Sequence, residues 1–495
     1  MRKVVLIVMF PVALFGRHWI VSKTADTLRG EFLRIMDAVQ YVAKAGDTVI
    51  VKPGIYKERI ILPSGVIFVS EKPGSAIIEY AGEGPCVSGK DLMSGALIGF
   101  KIIRKDSLKE PIIFLENSYF LIKNCEIGGG QLCGIASEGG SLTCDNCKIS
   151  ENKGTGMVLN GGEHKISNTE IRNNKIGIEI SKDAKIKIEK CKIENNEEIG
   201  IYATNSKVEF VENVIKANGK SGMRLEMCKE TEIKKNEITE NNREGLLVLN
   251  SKDIKVYGNN IYKNKKYGIR ATESEAEIKS NLLKENIEGI RIVHSRCLID
   301  SNSIETNSKF GINISTCDSI VVKNNLIKNN KSHGILCKYS HSIKIERNTL
   351  SDNKNGIYAR NSSGEIMYNV ISGNSRYGIY CRTNSKFLIK NNTIVKNRFS
   401  GVFAIEGAEV NLVNNIIALN GWGIVTVTEG YTPGTAHTEF NCVWSNKNAN
   451  YAGITDTTKN IRKNPLFVNP ENDFRLRKNS PCIGKGKNGE NIGAF

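Results

Sequence analysis

Fourteen glycines return along this chain at intervals of 21 to 23 residues, from Gly134 to Gly423, each followed by Ile, Met, Leu or Val. A unit of that length cannot enclose a core of its own, so the period marks a solenoid whose repeats bury their apolar faces only against their neighbours. Length is then a poor counter of domains, and the 495 residues read as one coiled body.

Within each repeat the apolar residues alternate with period two, as in Gly177-Ile178-Glu179-Ile180 and Ile186-Lys187-Ile188, so each coil reads as three short strands. Two asparagine series keep the same register. One precedes the closing Ile or Leu by two residues and runs from Asn213 to Asn415; the other follows it by three and runs from Asn152 to Asn420. Asparagine tolerates left-handed backbone, and its amide can bond a like amide one coil away. Both series are therefore expected at turns, with the repeat glycine taking a backbone form that side chains resist.

The 13 cysteines follow the repeat as well. Cys337 and Cys381 stand where other coils carry Leu159, Ile180 or Ile314, and are expected in the core. Cys125, Cys147 and Cys191 share one coil position, and stacking brings Cys125 within disulfide reach of Cys147. The pair Cys144 and Cys147 forms a lone C-x-x-C without the second pair of a zinc finger.

The ends break the rhythm. Residues 1–16, with Arg2-Lys3, an apolar run to Phe15 and then Gly16, match a secretory signal. In the segment 17–46, Phe32, Ile35, Met36, Val39 and Val42 fall at helical spacing and predict a capping helix. The coils are expected over 47–430 and an irregular cap over 431–495. No later stretch is long and apolar enough for a membrane span.

The repeat, the segments Ala45-Gly46-Asp47 and Val51 to Tyr56, and the blocks Asn464 to Phe467, Ser480-Pro481 and Ile492 to Phe495 together resemble the right-handed parallel β-helix proteins of the pectin-lyase-like superfamily, NosD-like members among them. The resemblance implies an all-β, single-stranded right-handed parallel β-helix with three short strands per coil and an N-terminal capping helix. That superfamily includes lyases, hydrolases, epimerases and tailspikes, so its fold leaves the chemistry open.

In such proteins a ligand lies along an outer sheet, and alternation turns the second and fourth residues after each glycine toward solvent. Tyr358, Tyr380 and Phe403 stack there on successive coils beside Lys338, Arg360 and Arg382, a setting for sugar rings and their acidic groups; Tyr377 and Trp422 extend it. A second group holds Arg224, Glu226, Arg270 and Arg291. A lyase or epimerase acting on uronate glycans would need a carboxylate neutraliser and a base, for which Arg270 and Arg291 are the candidates. From one residue before each repeat glycine to five after it there is no Asp, which disfavours calcium-dependent lyases and familiar hydrolases. His333 and His341 share a coil but form no recognised pattern.

The net charge of +17 favours an acidic partner. The resulting expectation is an exported, monomeric binder of polysaccharide, anionic in character, that uses no cofactor, metal or nucleic acid. A metal-independent polysaccharide lyase or C5-epimerase, and a structural or periplasmic accessory protein, stay open beside it.

Overall fold

The computed structural model describes residues 16–454 and 458–495, so the signal-like segment falls almost wholly outside the described residues. The described residues cluster into two compact units, one reaching to residue 179 and including 183–186, the other of 180–182 and the described residues from 187 on. Each is a parallel β-solenoid with three sheets per coil.

The first unit opens with strand His18–Val21, paired in parallel with Thr48–Val51. The α-helix that follows, Ile35–Tyr41, is shorter than its apolar spacing predicted, leaving Phe32 and Val42 outside and burying Ile35 and Ala38. A carboxylate from the next coil caps it: Glu58, 5% exposed, accepts the Ile35 and Met36 amides at 3.0 Å each. Farther on, Ile113–Glu116, Cys133–Glu138 and Thr155–Asn160 lie in register, with Ile113 against Ile135 and Ile135 against Met157.

In the second unit the strand after each glycine stacks on its counterpart one coil away. Ile269, Ile290, Ile312, Ile335, Ile357 and Ile379 form one inward column, each at most 1% exposed. Cys337 and Cys381 are fully buried in the next inward column. The three-strand rhythm continues past residue 430 through Thr435–Glu439, Cys442–Trp444 and Ala449–Ala452. An antiparallel pair, Phe467–Asn469 with Asp473–Leu476, then belongs to the C-terminal cap.

The asparagine series are buried ladders, but they do not make the turns. Immediately before each ladder asparagine stands a left-handed residue, such as Lys235 (φ 56°), Ser280 (54°) or Arg347 (53°). Such a backbone costs ~1 kcal/mol or more, and Lys235, Ser280 and Arg347 leave their own side chains exposed. The asparagine that follows then points inward. Asn236 Nδ2 reaches the Phe210 and Lys234 carbonyls and Asn259 Oδ1 at 3.0–3.1 Å, while its Oδ1 takes both the backbone and side-chain N–H of Asn213 at 2.9 Å. The ladder amides are satisfied by the coils on either side, which offsets the turn strain.

The repeat glycines are also needed for a reason other than the one expected. Those of the second unit do not take positive φ. A Cβ on Gly268 would instead lie 2.6 Å from the Gly289 carbonyl oxygen and 3.1 Å from Asn286 Nδ2. Close approach of coil to ladder, not left-handed backbone, excludes side chains here.

Candidate functional site

Two outward columns share the glycine-marked sheet of the second unit. One is the second residue after each glycine, as expected, although Leu247, Asn313, Leu336 and Val425 in it are buried and not in solvent. The other is the residue just before it: Tyr267, Glu288, Phe310, His333, Asn355, Tyr377, Ser400, Trp422. Together they build a continuous aromatic path. Phe310 stacks on His333 (5.4 Å between centroids) and His333 on Tyr358 (4.6 Å); Tyr358 meets Tyr380 edge-on at 5.0 Å. Tyr377 stacks on Phe403 at 4.8 Å and leans on Tyr380 at 4.9 Å.

Phe403 was expected in contact with solvent but is only 7% exposed, because Tyr377, Tyr380 and Val425 pack against it in a small apolar cluster with Ile405. It forms a floor, and the rings above it form the surface. A longer connection over residues 426–434 arches to the same place: Pro433 bridges Ile405, the Glu406 amide donates to the Thr432 carbonyl at 2.7 Å, and Tyr431 stands 52% exposed. The result is a cleft of about 400 Å³ whose wall includes His333, Tyr358, Tyr377, Tyr380, Thr428 and Tyr431.

His333 is held in one state. The Tyr377 amide donates to Asn355 Oδ1 at 3.2 Å, which turns the Asn355 NH2 toward His333 Nδ1 at 3.0 Å. Nδ1 therefore accepts, and the ring proton sits on Nε2. Burial, reinforced by the charges of Lys354 and Lys338, pushes the His333 pKa down to about 4, so the imidazole is neutral near pH 7. Burial likewise raises Tyr380 to about 12 and moves Tyr377 upward, leaving both phenols protonated donors.

Basic residues near the cleft divide into spent and free. Arg382 is paired with Glu406, its Nε 3.0 Å from Oε2, and Thr383 Oγ1 also donates to that carboxylate at 2.6 Å. The pairing raises the Arg382 pKa and lowers that of Glu406. Arg382 is thus not the open anion contact expected of it. Lys338, Lys354, Arg360 and Arg376 have no ion-pair partner among the described residues, and Arg360 Nε is buried without a hydrogen bond.

The other predicted group lies earlier on the same sheet. Arg224 pairs with Glu226 at 2.9 Å and covers the Tyr202 ring at 5.4 Å. Arg270 and Arg291 are register partners, with their guanidinium carbons 5.9 Å and 5.3 Å from the ring of Tyr267. Arg291 Nη1 meets Glu288 Oε1 at 3.4 Å, and Asn313 donates to Oε2 at 3.0 Å. His341 takes no part in the cleft; its Nδ1 lies 3.0 Å from Ser363 Oγ.

Asn355, Tyr267, Glu288, Glu406 and Tyr431 all escaped the sequence reading. The first three sit one residue before a glycine, a position that a Gly-anchored alignment already exposes. Glu406 and Tyr431 belong to turns and an irregular connection, where no period points to them.

A family model described as "Right handed beta helix region" matches residues 111–261 and 227–367, together more than half of the 495 residues. A second, described as "Periplasmic copper-binding protein (NosD)", matches 311–466. Among the described residues no three His, Cys, Asp or Glu side chains converge as metal ligands, and His333 Nδ1 is already engaged by Asn355. No curated protein matches the chain in sequence. Similar solved structures include the A-module of the Azotobacter vinelandii mannuronan C-5 epimerase AlgE4, with 15% identity over 63% of this chain and 86% of that one and a TM-score of 0.37. The Dettilon tailspike protein shares 15% identity over 57% of this chain and 60% of its own, with a TM-score of 0.43. Pectate lyase Pel9A shares 14% over 97% and 96%, with a TM-score of 0.24.

Proposed function

The chain belongs to the right-handed β-helix family, within the pectin-lyase-like superfamily, and from that premise we propose that it binds a polysaccharide along the glycine-marked sheet, without turning it over. One observation carries this reading: a cleft of about 400 Å³ walled by four tyrosines and a neutral histidine. Tyrosine offers an apolar face to a sugar ring and a hydroxyl to its oxygens, and His333 Nε2–H adds a donor whose state is set by Asn355. Free cations at Lys338, Lys354, Arg360 and Arg376 favour a ligand bearing carboxylate or sulfate. Action outside the cytoplasm is in keeping with the periplasmic description of the model matched over 311–466.

A glycan array probed with the wild-type chain and with Tyr358→Ala/Tyr380→Ala tests the reading. Binding by the wild type that drops at least about tenfold in the double variant supports it. Equal signals from both would sink it.

A second reading, elimination or epimerisation at a uronate, has support of its own. Arg270 and Arg291 flank Tyr267, whose phenol is a proton-transfer group that two arginines alone do not supply. New absorbance near 235 nm from alginate or pectin, lost in Tyr267→Phe, is the expected sign of elimination. Its absence across a broad panel, with no epimerised product, would leave only the binder.

A further inference from the structure

The cap is tied to the last coils largely by polar contacts. Asn391 Nδ2 donates to the Asn491 carbonyl at 2.9 Å, Asn414 Nδ2 to Glu490 at 2.9 Å, and the Gly493 amide to the Asn414 carbonyl at 2.8 Å; Lys390 pairs with Glu490 at 3.0 Å. Beneath them lies one apolar cluster that joins coil residues Val395, Ile416 and Ala418 to cap residues Phe467, Phe474 and Ile492. At its centre two cysteines meet. Cys442, in the strand Cys442–Trp444, and Cys482, in the cap, are both fully buried and lie thiol to thiol, with the Cys442 S–H donated to the Lys463 carbonyl at 3.2 Å.

Both backbones are pinned. The Cys442 amide donates to the Asn415 carbonyl at 2.8 Å, Cys482 N to Ser480 Oγ at 3.1 Å, and the Ile492 amide to the Cys482 carbonyl at 2.9 Å. The other thiol group of this kind is ambiguous, since Cys147 lies against both Cys125 and Cys144. The pair at the cap has one partner each and joins residues 40 positions apart (482 − 442).

We propose that Cys442 and Cys482 are a site of covalent cross-linking, oxidised by a small-molecule disulfide to a bond that clasps the cap onto the last coil. Cys482, carried by the cap, is the thiol released when the cap undocks, and it attacks as its thiolate. With glutathione disulfide, Cys482 sulfur displaces one glutathione to form a mixed disulfide. Cys442 then loses its proton and displaces the second glutathione from Cys482. Two S–H bonds and one S–S bond are exchanged for one protein S–S bond and two glutathione thiols, so electrons and protons balance. Burial restricts the exchange to moments when the cap is undocked, during folding or local opening.

The test uses the full chain, incubated in glutathione/glutathione disulfide buffer, denatured in excess N-ethylmaleimide, digested and mass-mapped. A peptide pair joining Cys442 to Cys482 is expected. With it should come cleavage of the cap by protease that is roughly tenfold slower than in the reduced chain, because a closed loop limits opening. Cys442→Ser and Cys482→Ser should each abolish the difference, and the double variant should add nothing. The proposal falls if both cysteines are recovered alkylated, if either is linked elsewhere, or if linkage leaves the cleavage rate unchanged. Mapping of the wild type needs no variant to fold.

Discussion

The coils around Tyr267 and those around Tyr380 lie on one sheet, in one register, with the same inward isoleucines, yet their outer faces are composed oppositely. Around Tyr267 the polar groups satisfy each other: Arg291 with Glu288, Glu288 with Asn313, and Arg270 Nε with Thr272 at 3.2 Å. Around Tyr380 rings meet rings, one cation is neutralised by Glu406, and four others remain unpaired. The contrast teaches that on a solenoid the scaffold is indifferent to what the face carries. A ladder amide does the same work in a coil that carries a charge cluster as in one that carries an aromatic cleft.

That claim is the first to break, and it carries the largest effect. Asn281→Ala, in a coil of the charged group, and Asn369→Ala, in a coil of the aromatic one, should each cost about 3 kcal/mol, because each leaves buried N–H and C=O groups unpaired. Urea unfolding midpoints that differ widely between the two would show that the scaffold does respond to the face above it.

Next in size is pH. His333 titrates at about 4 in the folded chain but near 6.5 when unfolded, so the unfolded chain takes up the proton first as pH falls. Its share of stability is full above about pH 6.5, declines on acidification, and is lost below about 4, an effect on the order of 2–3 kcal/mol. Between pH 7 and 4.5 the wild type should lose more stability than His333→Gln; equal losses would mean that the imidazole is not sealed in the stack. Ligand binding should be level from pH 8 to about 5.

Replacing rings compares the faces directly. Tyr380→Ala should weaken glycan binding by about tenfold, about 1.4 kcal/mol, whereas Arg224→Ala, whose guanidinium is committed to Glu226, should change it less than about twofold. A larger loss at Arg224 would move the binding face to the earlier coils. Smallest is Glu406→Gln, which frees Arg382 and should raise affinity for an anionic glycan about two- to threefold with no gain for a neutral one, as titration calorimetry can resolve.

Much of this was legible along the chain because the repeat converts position into place. Counting from each glycine found the inward isoleucines, the buried Cys337 and Cys381, and the neighbouring rings of Tyr358 and Tyr380. The same counting misjudged the turns, since Lys235 and Ser280 bear the left-handed backbone that asparagine was expected to take. Propensity points to the residue that tolerates a bend, while the fold rewards the residue whose amide fits between coils.

What the sequence determined by itself was the coil and the direction each repeated side chain faces, because alternation and period are local and the same in every repeat. Only the tertiary structure decided which outward groups are available. Phe403 is sealed by Tyr377, Arg382 is neutralised by a carboxylate 24 residues on, and the irregular connection 426–434 turns a flat sheet into a cleft. Those outcomes depend on contacts between coils and on a segment outside the period, so no count along the chain contains them.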